Sequence, residues 1–218
     1  MIDTGLHFRY QKSERAIGAA IKHLLYEENY YDFQRGEVFI STRIGHVQED
    51  ADFGVSFDKV KSEAIEKLGV KQEEFFGQNC LNPKFLAYQL EKSRANLGLE
   101  TIDLVNLHNP ENLLPYFDGK KQAMYEIVGQ AFAELEEQRQ LGKLKYYGMA
   151  SYAAFRSLNE YHLSLEKLLE ISEKYCGKDN GFKFITLPVN IVMPESFIEK
   201  TQTKANDTEN TGEMKLST

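Results

Sequence analysis

The sequence predicts an α/β fold built from parallel βαβ units, and three observations carry that prediction. Short β-rich runs alternate with helical segments along most of the chain, the pattern a parallel sheet requires. The helical segments are bracketed by stop and start signals, a Ser or an Asn-Pro ahead of them and a Gly behind. A length of 218 residues gives room for one sizeable hydrophobic core. Alternation alone leaves two architectures open, a doubly wound sheet and a β/α barrel.

The elements follow in order. Met1–Thr4 is a short strand-like run. Ser13 is placed to cap a helix whose apolar residues Ile17, Ala20, Ile21, Leu24 and Leu25 fall on one face. Glu37–Thr42 is the next strand. Ser56–Leu68 has helical periodicity and ends at Gly69. Asn82-Pro83 opens a helix that runs through Phe85, Leu86, Leu90, Ala95 and Leu97 to Gly98. Ile102–Leu107 is a strand, and Ala123–Leu141 is a long helix ended by Gly142. Leu144–Met149 is a strand, Ser164 caps Leu165–Tyr175, and Phe182–Val189 is the last strand. From Thr201 to Thr218 the chain turns polar, with only Ala205, Met214 and Leu216 apolar, and reads as disordered. The expected organisation is one domain over 1–196 and a polar tail over 197–218.

Composition excludes several classes. There are 26 Lys+Arg against 33 Asp+Glu, a formal charge of −7. The pI of about 5.4 gives no electrostatic footprint for nucleic acid. Mean hydropathy is −0.48, and no apolar run approaches the roughly 20 residues a membrane helix needs. Met1-Ile2-Asp3-Thr4 has no basic n-region, so no signal peptide is expected. Cys80 and Cys176 lack CxxC spacing. They read as plain buried thiols in a reducing, cytoplasmic compartment, with no metal site or disulfide framework. No GxGxxG follows a strand and no P-loop is present. Tyr30-Tyr31-Asp32-Phe33 is expected to pack a helix–strand connection. Glu134, Glu136 and Glu137 are expected to form a solvated helix face with Arg139.

Four segments, in order, resemble the aldo-keto reductase family. They are Asp3-Thr4-Gly5 through Tyr10, Ser13-Glu14 and Gly18; Glu37–Arg43; Ser93–Pro110, containing Leu107-His108-Asn109-Pro110; and Leu135–Ala150, with Gly142-Lys143 before the strand. Leu187-Pro188, Asn190 and Met193-Pro194-Glu195 resemble one branch of that family. The resemblance spans most of residues 2–196. It implies a (β/α)8 barrel of the TIM type, with its site at the C-terminal ends of the strands. The five strands align with strands two to six, so the expected fold is a partial barrel with open edges.

The resemblance also implies NAD(P)H-dependent reduction of a small carbonyl substrate by an Asp, a Tyr, a Lys and a His. In such a site the Tyr protonates the carbonyl oxygen. A phenol of pKa about 10 needs a neighbouring cation for that work. The four positions fall on Asp3, Phe8, Arg43 and His108. Phe8 has no transferable proton, and Arg43 keeps the charge but not the compact ammonium. Tyr10, His7, His46 and His108 are the candidates for a replacement acid. The positions that would hold the nicotinamide amide fall on Ser151 and Thr186. Nothing after Ser196 resembles the segments that hold the rest of NADP(H). The expectation is a carbonyl oxidoreductase impaired as written. The alternative is a non-catalytic binding or regulatory module, or a truncated paralogue that associates with a partner chain through its open edges.

Overall fold

In a computed structural model, residues 1–27, 34–118 and 120–202 are described. Tyr30–Phe33 and the tail from Lys204 onward lie outside them, as does Thr203.

Five parallel strands form one sheet in sequence order: β1 (Ile2–Asp3), β2 (Ile40–Ile44), β3 (Ile102–His108), β4 (Leu144–Ala150) and β5 (Phe182–Thr186). Helices α1 (Lys12–Lys22), α2 (Phe57–Leu68), α3 (Pro83–Leu97), α4 (Lys121–Gln140) and α5 (Leu165–Cys176) join them, and a short α6 (Glu195–Ile198) follows. Unbroken sequence order is the progression of a barrel wall; a doubly wound sheet reverses direction at a switch point. Among the described residues β1 and β5 are the two edges.

The register sorts side chains into two faces. Ser41 lies beside Leu104 and Tyr146, Arg43 beside Asn106 and Gly148, and His108 beside Ala150 and Thr186. These residues share the inner face. Ile40, Ile44, Val105, Leu107, Tyr147 and Met149 point the other way, into the core under the helices. There α1 packs on α3, α3 on α4 and α4 on α5. Phe132 of α4 is fully buried, with its ring 5.4 Å from Tyr147 and 4.6 Å from Phe182. Side chains of this size contribute roughly 1.5–3 kcal/mol each on burial. A smaller cluster under α2 joins Val60, Ala64, Val47, Phe75 and Phe85.

Capping follows the sequence closely for three helices. The Ser56 and Ser164 hydroxyls and the Asn82 side-chain amide oxygen accept from the first turns of α2, α5 and α3. Gly69 and Gly98 close α2 and α3 in left-handed conformations, φ 70° and 64°.

Several features differ from expectation, each for an identifiable physical reason. Ser13 does not cap α1. The chain enters that helix through three successive left-handed residues, Arg9, Tyr10 and Gln11. Ser13 therefore lies inside the first turn, and its hydroxyl pairs with that of Thr4 at 2.8 Å. The strand expected from Glu37 begins at Ile40. Arg35–Glu37 instead forms a 3₁₀ turn, closed by the Glu37 carboxylate accepting from Gln34 N at 2.9 Å. β5 stops at Thr186, just ahead of Leu187-Pro188, where proline has no N–H for a ladder. Glu136 is not on a solvated face: it is buried, accepts from Arg139, and takes the Gly181 N–H at 2.9 Å. Thr201 and Gln202, placed in the polar tail, are 5% and 2% exposed. The Thr201 hydroxyl donates to Phe155 O at 2.8 Å, and the Gln202 amide bridges Leu163 O and Leu165 N.

Among the described residues no helix is long and apolar enough to cross a membrane. Nor does any cluster of His, Cys, Asp and Glu there have the arrangement to hold a metal ion. Cys80 is buried, which pushes its thiol up to about 12.

Candidate functional site

The first motif builds a buried polar joint rather than a reactive centre. Glu14, on α1, accepts from the Thr42 hydroxyl at 2.6 Å and from the Asn96 amide at 2.9 Å. Burial raises its pKa. Gly18, one turn on, lies against the backbone of Asn96 and Leu97, where a Cβ would collide. These contacts fix α1 against β2 and α3, and so place the loop between β1 and α1.

That loop and the strand ends carry the sequence-predicted residues. Asp3, on the edge strand, accepts from the Arg43 guanidinium and from the Ser41 hydroxyl, the latter at 2.8 Å. Phe8 stands where the resemblance calls for a phenol. Its ring lies under the Arg43 guanidinium, 5.3 Å from centroid to Cζ, and edge-on to His7 at 4.7 Å. His108, at the end of β3, is flanked by His7 at 4.2 Å and His46 at 5.8 Å between ring centroids. Burial, with the charges of His46 and Arg43 added and, for His7, that of His108, pushes His7 and His108 down to about 3. His46 is lowered by burial as well, against the pull of the Val47 carbonyl and Gln78. All three imidazoles are neutral at neutral pH. The Nδ1 atoms of His7 and His108 are buried without a partner, as is Arg43 Nε.

Arg43, His108, Ser151 and Thr186 line one pocket of about 210 Å³ at the C-terminal ends of the strands. Asn109, Tyr152, Leu187 and Pro188 complete it. Four of the six predicted site residues therefore share a pocket, and Asp3 and Phe8 touch it through Arg43. Tyr10 does not join them. It is 54% exposed and lies in a separate groove against Asp50 and Val55.

Ser151 is differently used from its expected role. Its hydroxyl donates to Glu111 Oε1 at 2.7 Å and accepts from Ala154 N at 2.8 Å. The same Glu111 oxygen accepts from Tyr152 N and Ala153 N at 2.9 and 3.2 Å. Glu111 is thus the post that holds the loop after β4. It escaped the sequence reading because it follows Asn109-Pro110 in a 3₁₀ turn with no periodicity of its own. Its position directly after the Leu107-His108 motif was the available signal. Asn106 was missed too: its amide donates to Ser41 Oγ at 3.2 Å on the inner face.

A family model described as "Aldo/keto reductase family" matches residues 1–172. The chain belongs to the aldo/keto reductase family. Solved structures agree in fold. A glycerol dehydrogenase from Gluconobacter oxydans is 20% identical, with TM-score 0.50, over 87% of this chain and 40% of that one. An aldose reductase from Giardia lamblia is 13% identical, with TM-score 0.50, over 92% of this chain and 51% of that one. The chain spans about half the length of these aldo/keto reductase relatives or less. No curated protein sequence matches it significantly.

Of the two side chains expected to hold the nicotinamide amide, the Ser151 hydroxyl donates to Glu111 and accepts from Ala154, which leaves it one lone pair. Thr186 lines the same pocket of about 210 Å³, smaller than the roughly 300–1,000 Å³ of drug-sized sites.

Proposed function

We propose that this chain carries the carbonyl site of an NAD(P)H-dependent oxidoreductase in a form that does not turn over. One observation carries the reading: a phenyl ring, Phe8, occupies the place beside the Arg43–Asp3 ion pair where a proton donor is needed. Carbonyl reduction leaves an alkoxide that must gain a proton as the C–H bond forms. A group positioned to deliver that proton contributes about 10²–10⁴-fold. Phe8 cannot deliver one. The neighbouring His7 and His108 are held neutral by burial.

The test is NADPH consumption by the purified chain with a panel of small aldehydes and ketones. No carbonyl-dependent oxidation is expected. Steady, enzyme-proportional consumption with any of them refutes the proposal.

A second reading, association with another chain, is favoured by a different observation. Met1 beside the β1 edge and Phe184 and Ile185 of β5 line one open, largely apolar cleft of about 590 Å³. Beyond it Ile191 and Val192 are 98% and 82% exposed. Apolar surface of this kind marks interaction sites. Light scattering across a concentration series should show association that Ile191→Lys with Val192→Lys suppresses. A mass that stays monomeric throughout removes this reading.

A further inference from the structure

We infer that two copies of the chain form a two-fold dimer, in which the Ile191-Val192 tip of each enters the apolar cleft of the other. The dimer rests on the second reading above, association with another chain, and names that chain as a second copy.

The tip is a rigid apolar knob. Asn190 and Met193 pair across a tight turn, and Asn190 Oδ1 accepts from Val192 N at 2.8 Å and Met193 N at 3.0 Å. Ile191 and Val192 are the two central residues of that turn, 98% and 82% exposed. Central turn positions ordinarily take Gly, Pro, Asn, Asp or Ser, so two β-branched apolar residues gain nothing there from the turn itself. The turn holds them away from their own chain. Side chains already fixed in this way lose little freedom when a partner buries them.

The cleft is the matching hole. Leu104, Phe184, Ile185, Leu187 and Val189 line it, and its volume is about 590 Å³. The Phe184 ring packs against Phe39 and Tyr146, with centroids 5.8 and 5.6 Å away, so the floor is set before anything enters.

Two features select a second copy as the occupant. Tip and cleft are neighbours on one chain, since Val189 lines the cleft and Ile191 stands just beyond it in sequence. A knob beside its own hole closes through a two-fold axis, each copy giving and receiving once. The second feature is charge. Lys183, at the cleft, and Glu199, directly after α6, are both exposed, and neither makes an ion pair with a described residue. Because α6 follows the tip, a tip that enters the partner's cleft carries its Glu199 toward the partner's Lys183. Each chain has a net charge of −7, which opposes self-association in general. Two reciprocal Lys183–Glu199 pairs therefore fix the register of the contact.

The experiment is sedimentation equilibrium of the full chain over a concentration series. A monomer–dimer equilibrium with no larger species is expected. Ile191→Asp with Val192→Asp should leave only monomer. Lys183→Glu and Glu199→Lys each place like charges opposite one another twice per dimer and should weaken it about tenfold. Both positions are exposed, so neither substitution threatens the fold. An equimolar mixture of these two variants should form a heterodimer at wild-type strength, because both pairs then have opposite charges again. A chain that stays monomeric at every concentration overturns the inference together with the association reading. Species beyond the dimer, a dimer indifferent to the tip substitutions, or no recovery in the mixture overturns the inference alone and leaves the association reading standing.

Discussion

The two faces of the sheet have had different fates. Behind the strands, the residues that carry the family resemblance are satisfied: Thr4 with Ser13, Glu14 with Thr42 and Asn96, Gly18 against α3. At the strand ends, the residues that depart from the family surround unpartnered groups: Arg43 Nε, His7 Nδ1 and His108 Nδ1. The first face explains why the chain is recognisable. The second holds the residues on which the proposed loss of turnover rests.

The contrast can be broken most forcefully from behind. Phe132→Ala should cost about 3–5 kcal/mol in urea unfolding, because the ring fills the junction of α4, β4 and β5. A loss under 1 kcal/mol would mean that junction is loosely packed. Glu14→Ala strands the Thr42 hydroxyl and the Asn96 amide and should cost about 1–3 kcal/mol. Glu14→Gln should recover part of that loss.

Acid probes the other face. His7 and His108 are held near 3 in the folded chain against 6.5 in an unfolded one. Between those values the unfolded chain binds more protons. Stability is therefore full above about pH 6.5 and falls as pH drops toward 3, by at most about 1.4 kcal/mol per pH unit for each imidazole. Replacing both with Asn should flatten that slope, read by denaturant unfolding at a series of pH values. Thr201→Val should cost about 1 kcal/mol, through the lost bond to Phe155 O. Smallest of all, Phe8→Tyr should move stability by no more than about 0.5 kcal/mol, since the added hydroxyl keeps the ring's contacts with Arg43 and His7.

Much of the fold was legible because its signals are local. Ser56, Asn82, Ser164, Gly69 and Gly98 cap the helices they announce, and the strands fall where β-rich runs stand between helices. The errors have both local and non-local causes. Nothing near Ser13 in sequence foretells three left-handed residues ahead of it. The anchoring of Thr201 and Gln202 depends on Phe155 and Leu163, about 40 residues away along the chain. At the site, the family resemblance had picked out Arg43, His108, Ser151 and Thr186, and these line one pocket. What the resemblance could not show is that Glu111 had already claimed the Ser151 hydroxyl.

The most direct test of the separation between scaffold and site is a titration of the purified, folded chain with NADPH, followed by nucleotide fluorescence. The expected result is cooperative unfolding of the protein with no saturable fluorescence change up to millimolar NADPH. Saturable binding at micromolar NADPH would contradict it, and would show that a dinucleotide site survives in this chain.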